Sequence, residues 1–419
     1  MNQLARRIQR TYLILILGNT LAASFIWGIN TLFLLDAGLT NFEAFAANAF
    51  FTAGMVIFEI PTGVVADGWG RRTSYLLGTV TLSGSTFLYY LLWRVHGPFW
   101  AWAVVSILLG LGFTFFSGAV EAWLVDALHF AEYEGELEAV FGRAQIVGGA
   151  AMLTGSVAGG YIAQVTSLGV PFLLRTGVLV LMFVVASVLM KDLGFTPAAR
   201  QKPLAATKAI LVASLDYGLR NRPVRWLMLS APFVSGVGFY AFYAMQPYLL
   251  ELYGNSKAYG VAGLAAAIIA GSQMLGGVFA TRIRNLFRRR TSALILGTFL
   301  GAAFLALLGV ASTFLIALLL LILWGLIFAA VTPIRQAYLN DLIPSGQRAT
   351  VLSFDSLMGS TGGVVVQPVL GHTADLWGYG GSYLLGAAVQ ALAIPFLFRS
   401  RAEKADADTR TTSSTPAPV

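Results

Sequence analysis

Gly63-Val64-Val65-Ala66-Asp67-Gly68-Trp69-Gly70-Arg71-Arg72 lies between two long apolar runs. Only 11% of the 419 residues are charged, yet Asp67, Arg71 and Arg72 crowd into six positions. Gly68 and Gly70 allow a turn too sharp for a residue with a Cβ. A charge cluster at such a turn reads as a short loop at a membrane surface. Its two arginines assign that surface to the cytoplasmic side.

Outward from this turn the chain stays apolar. Hydrophobic residues make up 57% of it, and the mean hydropathy is +0.74. Apolar runs of about 20 residues, enough to span a bilayer, recur from end to end. The fold class read from this is an all-α integral membrane protein with twelve transmembrane helices. The spans are expected near 11–36, 42–66, 73–93, 98–126, 139–165, 171–190, 223–250, 258–281, 291–311, 313–340, 350–374 and 379–398. The run 291–340 would be about 75 Å long as one helix, so it must split, near Ala311-Ser312-Thr313.

Basic residues set the orientation. With both termini in the cytoplasm, Arg94, Arg175 and Lys257 alone among 27 Lys and Arg fall on or near the outer side. The formal charge of +8 therefore follows membrane topology and does not call for nucleic acid. Arg6, Arg7 and Arg10 lead into a run too long for a signal peptide. The location expected is the cell (inner) membrane. There is no cysteine and no His-Glu-x-x-His. His96, His129 and His372 make no motif. A phosphate-binding Gly-x-x-x-x-Gly-Lys-Ser/Thr is also missing. Neither a membrane enzyme nor ATP-driven transport is favoured, and the reading calls for no cofactor and no metal.

The halves repeat. Ala122-Trp123-Leu124-Val125-Asp126 returns 215 residues later as Ala337-Tyr338-Leu339-Asn340-Asp341. Gly63-Val64-Val65-Ala66 returns as Gly277-Val278-Phe279-Ala280, with Thr281 where Asp67 stood. The domains expected are a six-helix bundle over 1–190, a central cytoplasmic loop over 191–222, a second six-helix bundle over 223–399 and a disordered tail over 400–419. Leu204–Leu219 in the central loop reads as an amphipathic helix or a flexible linker.

Residues 63–72 carry Gly63, Asp67, Gly70, Arg71 and Arg72 in the pattern Gly-x-x-x-Asp-x-x-Gly-Arg-Arg/Lys. This resembles the helix 2–3 signature of the major facilitator superfamily, and the resemblance covers the whole chain. It implies two pseudo-symmetric bundles that rock about a central cavity. It also implies that Asp67, Arg71 and Asp126, at the end of span 4, latch the halves in the outward-facing state. Span 5 is similar to the glycine-rich motif of drug–proton antiporters, except that Ser156 replaces the proline in Gly155-Ser156-Val157-Ala158-Gly159-Gly160. Span 4 lacks the arginine such antiporters carry, with Ser106 near its place.

The function expected is secondary active transport: proton-coupled efflux of small amphiphilic compounds by an antiporter. Uptake of a nutrient by symport or uniport is the alternative. A receptor that kept the fold and lost transport is a further option. The partners are a small-molecule substrate, protons and the lipid bilayer, and the unit is a monomer. Asp36, Glu59 and Glu121 are the candidate proton carriers, because acids inside spans are costly. Arg175 is a candidate partner for Asp36 or for an anionic substrate. By family architecture, Trp27, Asn30, Phe116, Tyr240, Tyr243, Gln246, Gln273, Trp324 and Gln367 are the other cavity candidates.

Overall fold

The computed structural model describes residues 3–116, 118–197, 220–343 and 348–409. The Leu204–Leu219 helix lies outside them. Among the described residues the structure is helical throughout, with no sheet. Eleven helices among the described residues are long and apolar enough to cross a membrane. One apolar stretch, Val351–Ala402, runs 52 residues and holds two crossings. Gly378, with φ 71° and ψ 175°, is where they part. The count is therefore twelve spans. We call the end that carries residues 63–72 the motif end and the other the far end.

Local sequence explains the span ends. Thr40 and Glu43 form a capping box at the start of span 2, Asn41–Trp69. Gly254, with φ 77°, stops span 7, Arg222–Tyr253. The expected loop at 67–72 shrinks to one residue. Span 2 stays helical through Gly68 to Trp69, and span 3, Arg71–Val95, starts two residues on. Gly70 makes the turn alone, with φ 102°.

Two spans are broken where continuous helices were expected. Span 1 consists of Gln3–Trp27 and Asn30–Asp36. Span 4 consists of Phe99–Thr114 and Ala119–Phe130, with Gly118 left-handed at φ 70° between them. Backbone groups freed inside a membrane need partners. Ser74 donates to the Phe115 carbonyl at 2.9 Å. Gln246 of span 7 donates to the Trp27 carbonyl at 3.0 Å and accepts from the Thr31 N–H at 2.9 Å. The second half thus repairs the break in span 1.

Spans 1–6 and 7–12 form the two halves, and their cores differ between the two ends. At the motif end each core stays within its half: Tyr12, Tyr75, Trp123 and Leu124 in one, Val224, Tyr338 and Leu339 in the other. At the far end the cores cross. Leu250 and Ala262 join the cluster around Phe33, Tyr89 and Trp102, and Phe45 joins that around Tyr240 and Tyr383. Glycine lets spans 5 and 8 touch there. A Cβ on Gly160 would lie 2.5 Å from the Tyr259 oxygen, and one on Gly263 2.4 Å from the Ser156 oxygen. Gly155 and Gly159 pack against span 1 instead.

Residues 400–409 are a correction to the expected disordered tail. Span 12 continues to Ala402, and a short 3-10 turn, Asp406–Asp408, follows. The buried Asp408 carboxylate accepts from the Thr291 N–H at 2.7 Å and from its hydroxyl at 2.8 Å. Those polar residues cap the N-terminus of span 9, Arg290–Gly309.

Candidate functional site: the charged rim and the central cavity

At the motif end, Arg71 opens span 3 and pairs with Asp67 across Gly70. Its Nε lies 3.8 Å from the Asp126 carboxylate, and its guanidinium sits 5.9 Å above the Phe195 ring. Arg72 donates to the Ser187 carbonyl at 2.7 Å. These contacts bind spans 2, 3, 4 and 6 of one half together. Gly63 lies exposed on the last turns of span 2, and a Cβ there would meet nothing.

Two capping carboxylates at this end, Asp192 and Asp408, carried no motif in the sequence. Asp192, just past span 6, accepts from the Arg72 N–H at 2.9 Å and so caps span 3. Burial pushes its carboxyl above the ordinary range and Asp126 adds to the rise. The Arg72 N–H and the Arg72 and Arg71 charges oppose it. Asp408 does for span 9 what Asp192 does for span 3. Arg290 pairs with Asp341 at 2.6 Å, as Arg71 meets Asp126. The duplication read from short matches therefore extends to capping carboxylates that no match flagged. A further pair, Arg335 and Asp355 at 2.6 Å, joins spans 10 and 11.

Between the halves lies a cavity of about 680 Å³. Spans 1, 4, 5 and 8 supply its walls, including Tyr12, Trp27, Glu121, Gln145, Met152 and Gln273. It runs from Trp27 toward the motif end. Glu121 occupies the first turn of Ala119–Phe130, a helix start created by the break in span 4. A carboxylate is favoured there by the helix dipole.

The far end is shut by polar ties across the halves. Asp375 accepts from the Asn41 and Phe42 N–H groups at 2.9 and 2.8 Å, and Tyr379 donates to Asn41. Gln164 accepts from the Gly260 N–H at 2.9 Å.

The three candidate acids are not brought together. Asp36 is exposed at the far end, where Trp93 donates to it at 2.8 Å, so it does not pair with Arg175. Glu59 is exposed on the motif-end part of span 2. Of the cavity candidates, Trp27 and Gln273 line the space. Asn30 donates to Asn48 at 2.9 Å within the first half. Phe116 packs on Tyr75. Tyr240 and Trp324 lie in the second half's core. Gln246 and Gln367 are buried at the seam, Gln246 in the broken span 1 and Gln367 against its own helix and Thr52. Apolar helices offer no periodicity to tell a cavity face from a packing face. Tyr243 and Arg175 are not in the cavity lining, and Tyr243 of the second half lies close enough to Arg175 of the first to act on its charge.

Comparison with known proteins agrees with this architecture. The family model for the Major Facilitator Superfamily matches residues 12–363 and 286–419. The chain is 25% identical over 360 residues to the uncharacterised MFS-type transporter YxaM of Bacillus subtilis (strain 168), covering 82% of each. In fold it is similar to a variant of the nucleoside transporter NupG, with a TM-score of 0.79 at 12% identity, covering 94% of this chain and 99% of that one. A bacterial homologue of the human lysosomal transporter Spinster, solved inward-facing and unoccupied, gives 0.72 at 13% identity over 100% of both chains. A D-xylose-proton symporter gives 0.66 at 15% identity over 94% and 96%. Two six-helix halves, a shared cavity and a matching family model lead to one conclusion: the chain belongs to the major facilitator superfamily and is a multi-pass membrane transporter.

Proposed function

We propose that the chain is a proton-coupled exporter of small amphiphilic compounds, working by alternating access as a monomer in the cell inner membrane. Both termini are cytoplasmic, so the motif end faces the cytoplasm and this conformation is open inward. The observation that carries the reading is the cavity between the halves, with Glu121 in its wall and polar ties joining the halves at the far end. A carboxylate that water reaches from one side is where a proton exchanges before the halves rock. Aromatic and methionine walls suit an amphiphilic cargo. Exposed Leu181, Val184, Val188, Leu307, Leu315 and Leu319 suit a lipid surround. The Asp67–Arg71–Asp126 cluster acts as a gate and engages the second half when the motif end closes.

Uptake by symport is the second reading. The solved relatives include, by title, a D-xylose-proton symporter and a nucleoside transporter, and likeness of fold leaves direction open. Proteoliposome flux under an imposed pH gradient tests the coupling. Glu121→Gln is expected to abolish gradient-driven flux while leaving exchange at equal pH. Unchanged gradient-driven flux in that variant would remove Glu121 as carrier.

A further inference from the structure

Arg175 is a part-buried cation inside span 6 for which the described residues supply no anion. It lies six residues into span 6, Gly169–Leu189, one turn beyond Phe172, which is buried and stacked on Phe33 at 3.7 Å. Its Nε is buried without a hydrogen-bond partner. The groups that act on its charge are the hydroxyls of Tyr243 and Tyr89, not a carboxylate. Tyr89 belongs to span 3 of the first half and Tyr243 to span 7 of the second. The guanidinium therefore points into the seam between the halves and not toward lipid. Asp36, the acid nearest it along the far end in sequence reading, is engaged by Trp93. On span 3, one turn from Tyr89, the Thr86 hydroxyl is also buried without a partner.

A guanidinium stays protonated at any physiological pH. Partly buried and without a counter-ion among the described residues, it weakens the fold instead of strengthening it. Groups that destabilise a structure yet face its functional space are commonly kept for a ligand. The inner wall of the cavity ends at Trp27, whose ring meets Phe242 at 4.5 Å, and Phe242 adjoins Tyr243. Arg175 thus sits behind a two-ring partition, on the closed side of the space a cargo enters.

We propose that Arg175, with Tyr89 and Tyr243, binds the acidic group of the cargo, which is a small amphiphilic organic anion. The guanidinium fork matches the two oxygens of a carboxylate, or those of a sulfonate or phosphate. The Tyr243 hydroxyl adds a donor from the second half. Phe33, Trp102 and Phe172 form an apolar bed on the far side. An anion held between Arg175 and Tyr243 pulls spans 6 and 7 together and so favours closure of the cavity. This inference rests on the transport reading above and names its cargo class.

The test uses the purified full chain in detergent. The probes are 2-naphthoate, 2-naphthalenesulfonate and 2-naphthyl phosphate, with neutral 2-naphthamide as control. Calorimetric binding and the melting temperature are read for the natural chain and for Arg175→Gln, Arg175→Lys and Tyr243→Phe. At least one anion is expected to bind and to raise the melting temperature, while the amide does neither. Arg175→Gln should weaken that anion tenfold or more, and Arg175→Lys and Tyr243→Phe less. Without ligand, Arg175→Gln should melt at or above the natural chain, because an unpaired interior charge is gone. Three results overturn the site: no anion binds, the amide binds equally, or Arg175→Gln binds the anion unchanged. A fourth is that Arg175→Gln melts lower or fails to fold, which makes Arg175 structural. If the anions bind through Arg175 but none crosses a bilayer in proteoliposomes, transport fails and the site stands. If gradient-driven flux of other compounds persists in Arg175→Gln with anion binding unchanged, the reverse holds.

Discussion

Gly70 joins two helices with no other residue between them, at a φ of 102°. A side chain there would be strained by about 1–3 kcal/mol. Its Cβ would also lie 2.3 Å from the Asp192 carboxylate. Gly70→Ala is therefore expected to lower the melting temperature by several degrees, whereas Gly63→Ala, with open space around it, should not. Asp192 makes a second prediction. Its folded pKa stands above the ordinary 3.8 because burial outweighs the nearby cations. A raised acid gives stability that is full below its unfolded pKa and is lost as pH rises through the folded value. The melting temperature should thus fall as pH rises through that raised value, and Asp192→Asn should flatten the slope. Equal slopes in both proteins would refute the assignment. Asp67 and Arg71 were legible as a pair because their spacing is a motif, and Asp126 because it stands at the end of span 4. Asp192 was not, since one aspartate past the end of a span looks like any solvated residue.

At the scale of elements the breaks in spans 1 and 4 matter most. Nothing in 11–36 or 98–126 announces them, because apolar runs are equally compatible with one helix or two. What makes the break in span 1 tenable is Gln246, which takes up both groups of one lost backbone bond, the Thr31 N–H and the Trp27 carbonyl, from across the seam. A polar side chain in span 7 reads from sequence as a cavity residue, and only the register of the two halves reveals its real task. The far-end tie between Asp375 and the first turn of span 2 is a contact of the same kind, but near water. Such a capping carboxylate contributes about 1–2 kcal/mol, a shift of five- to thirtyfold between two states. Asp375→Ala should open the far end. The chain has no cysteine, so spin labels at introduced cysteines replacing the exposed Trp100 and Tyr253 report that motion cleanly. A longer label distance is expected, and an unchanged distribution would remove Asp375 from the closure.

For the whole molecule, crossing cores at the far end and separate cores at the motif end make one end a joint and the other an opening. The twelve spans and the duplication could be read from sequence, since length, charge asymmetry and repeated motifs are one-dimensional. Which end is open could not, because it depends on how two similar halves lean. The rim cluster gives a prediction on this scale. Asp67 is 53% exposed, so its pair with Arg71 contributes at most about 1 kcal/mol to stability. Asp67→Asn should therefore slow flux severalfold in proteoliposomes while the melting temperature hardly moves. A variant that transports at the natural rate would argue against a gate. The polar residues just past span 12 carry a practical lesson for anyone handling this protein. A chain trimmed after Arg399, or a reporter fused there, would remove Asp408 and strip the cap from Thr291, 117 positions upstream in the first turn of span 9. Tags and truncations belong beyond Thr409.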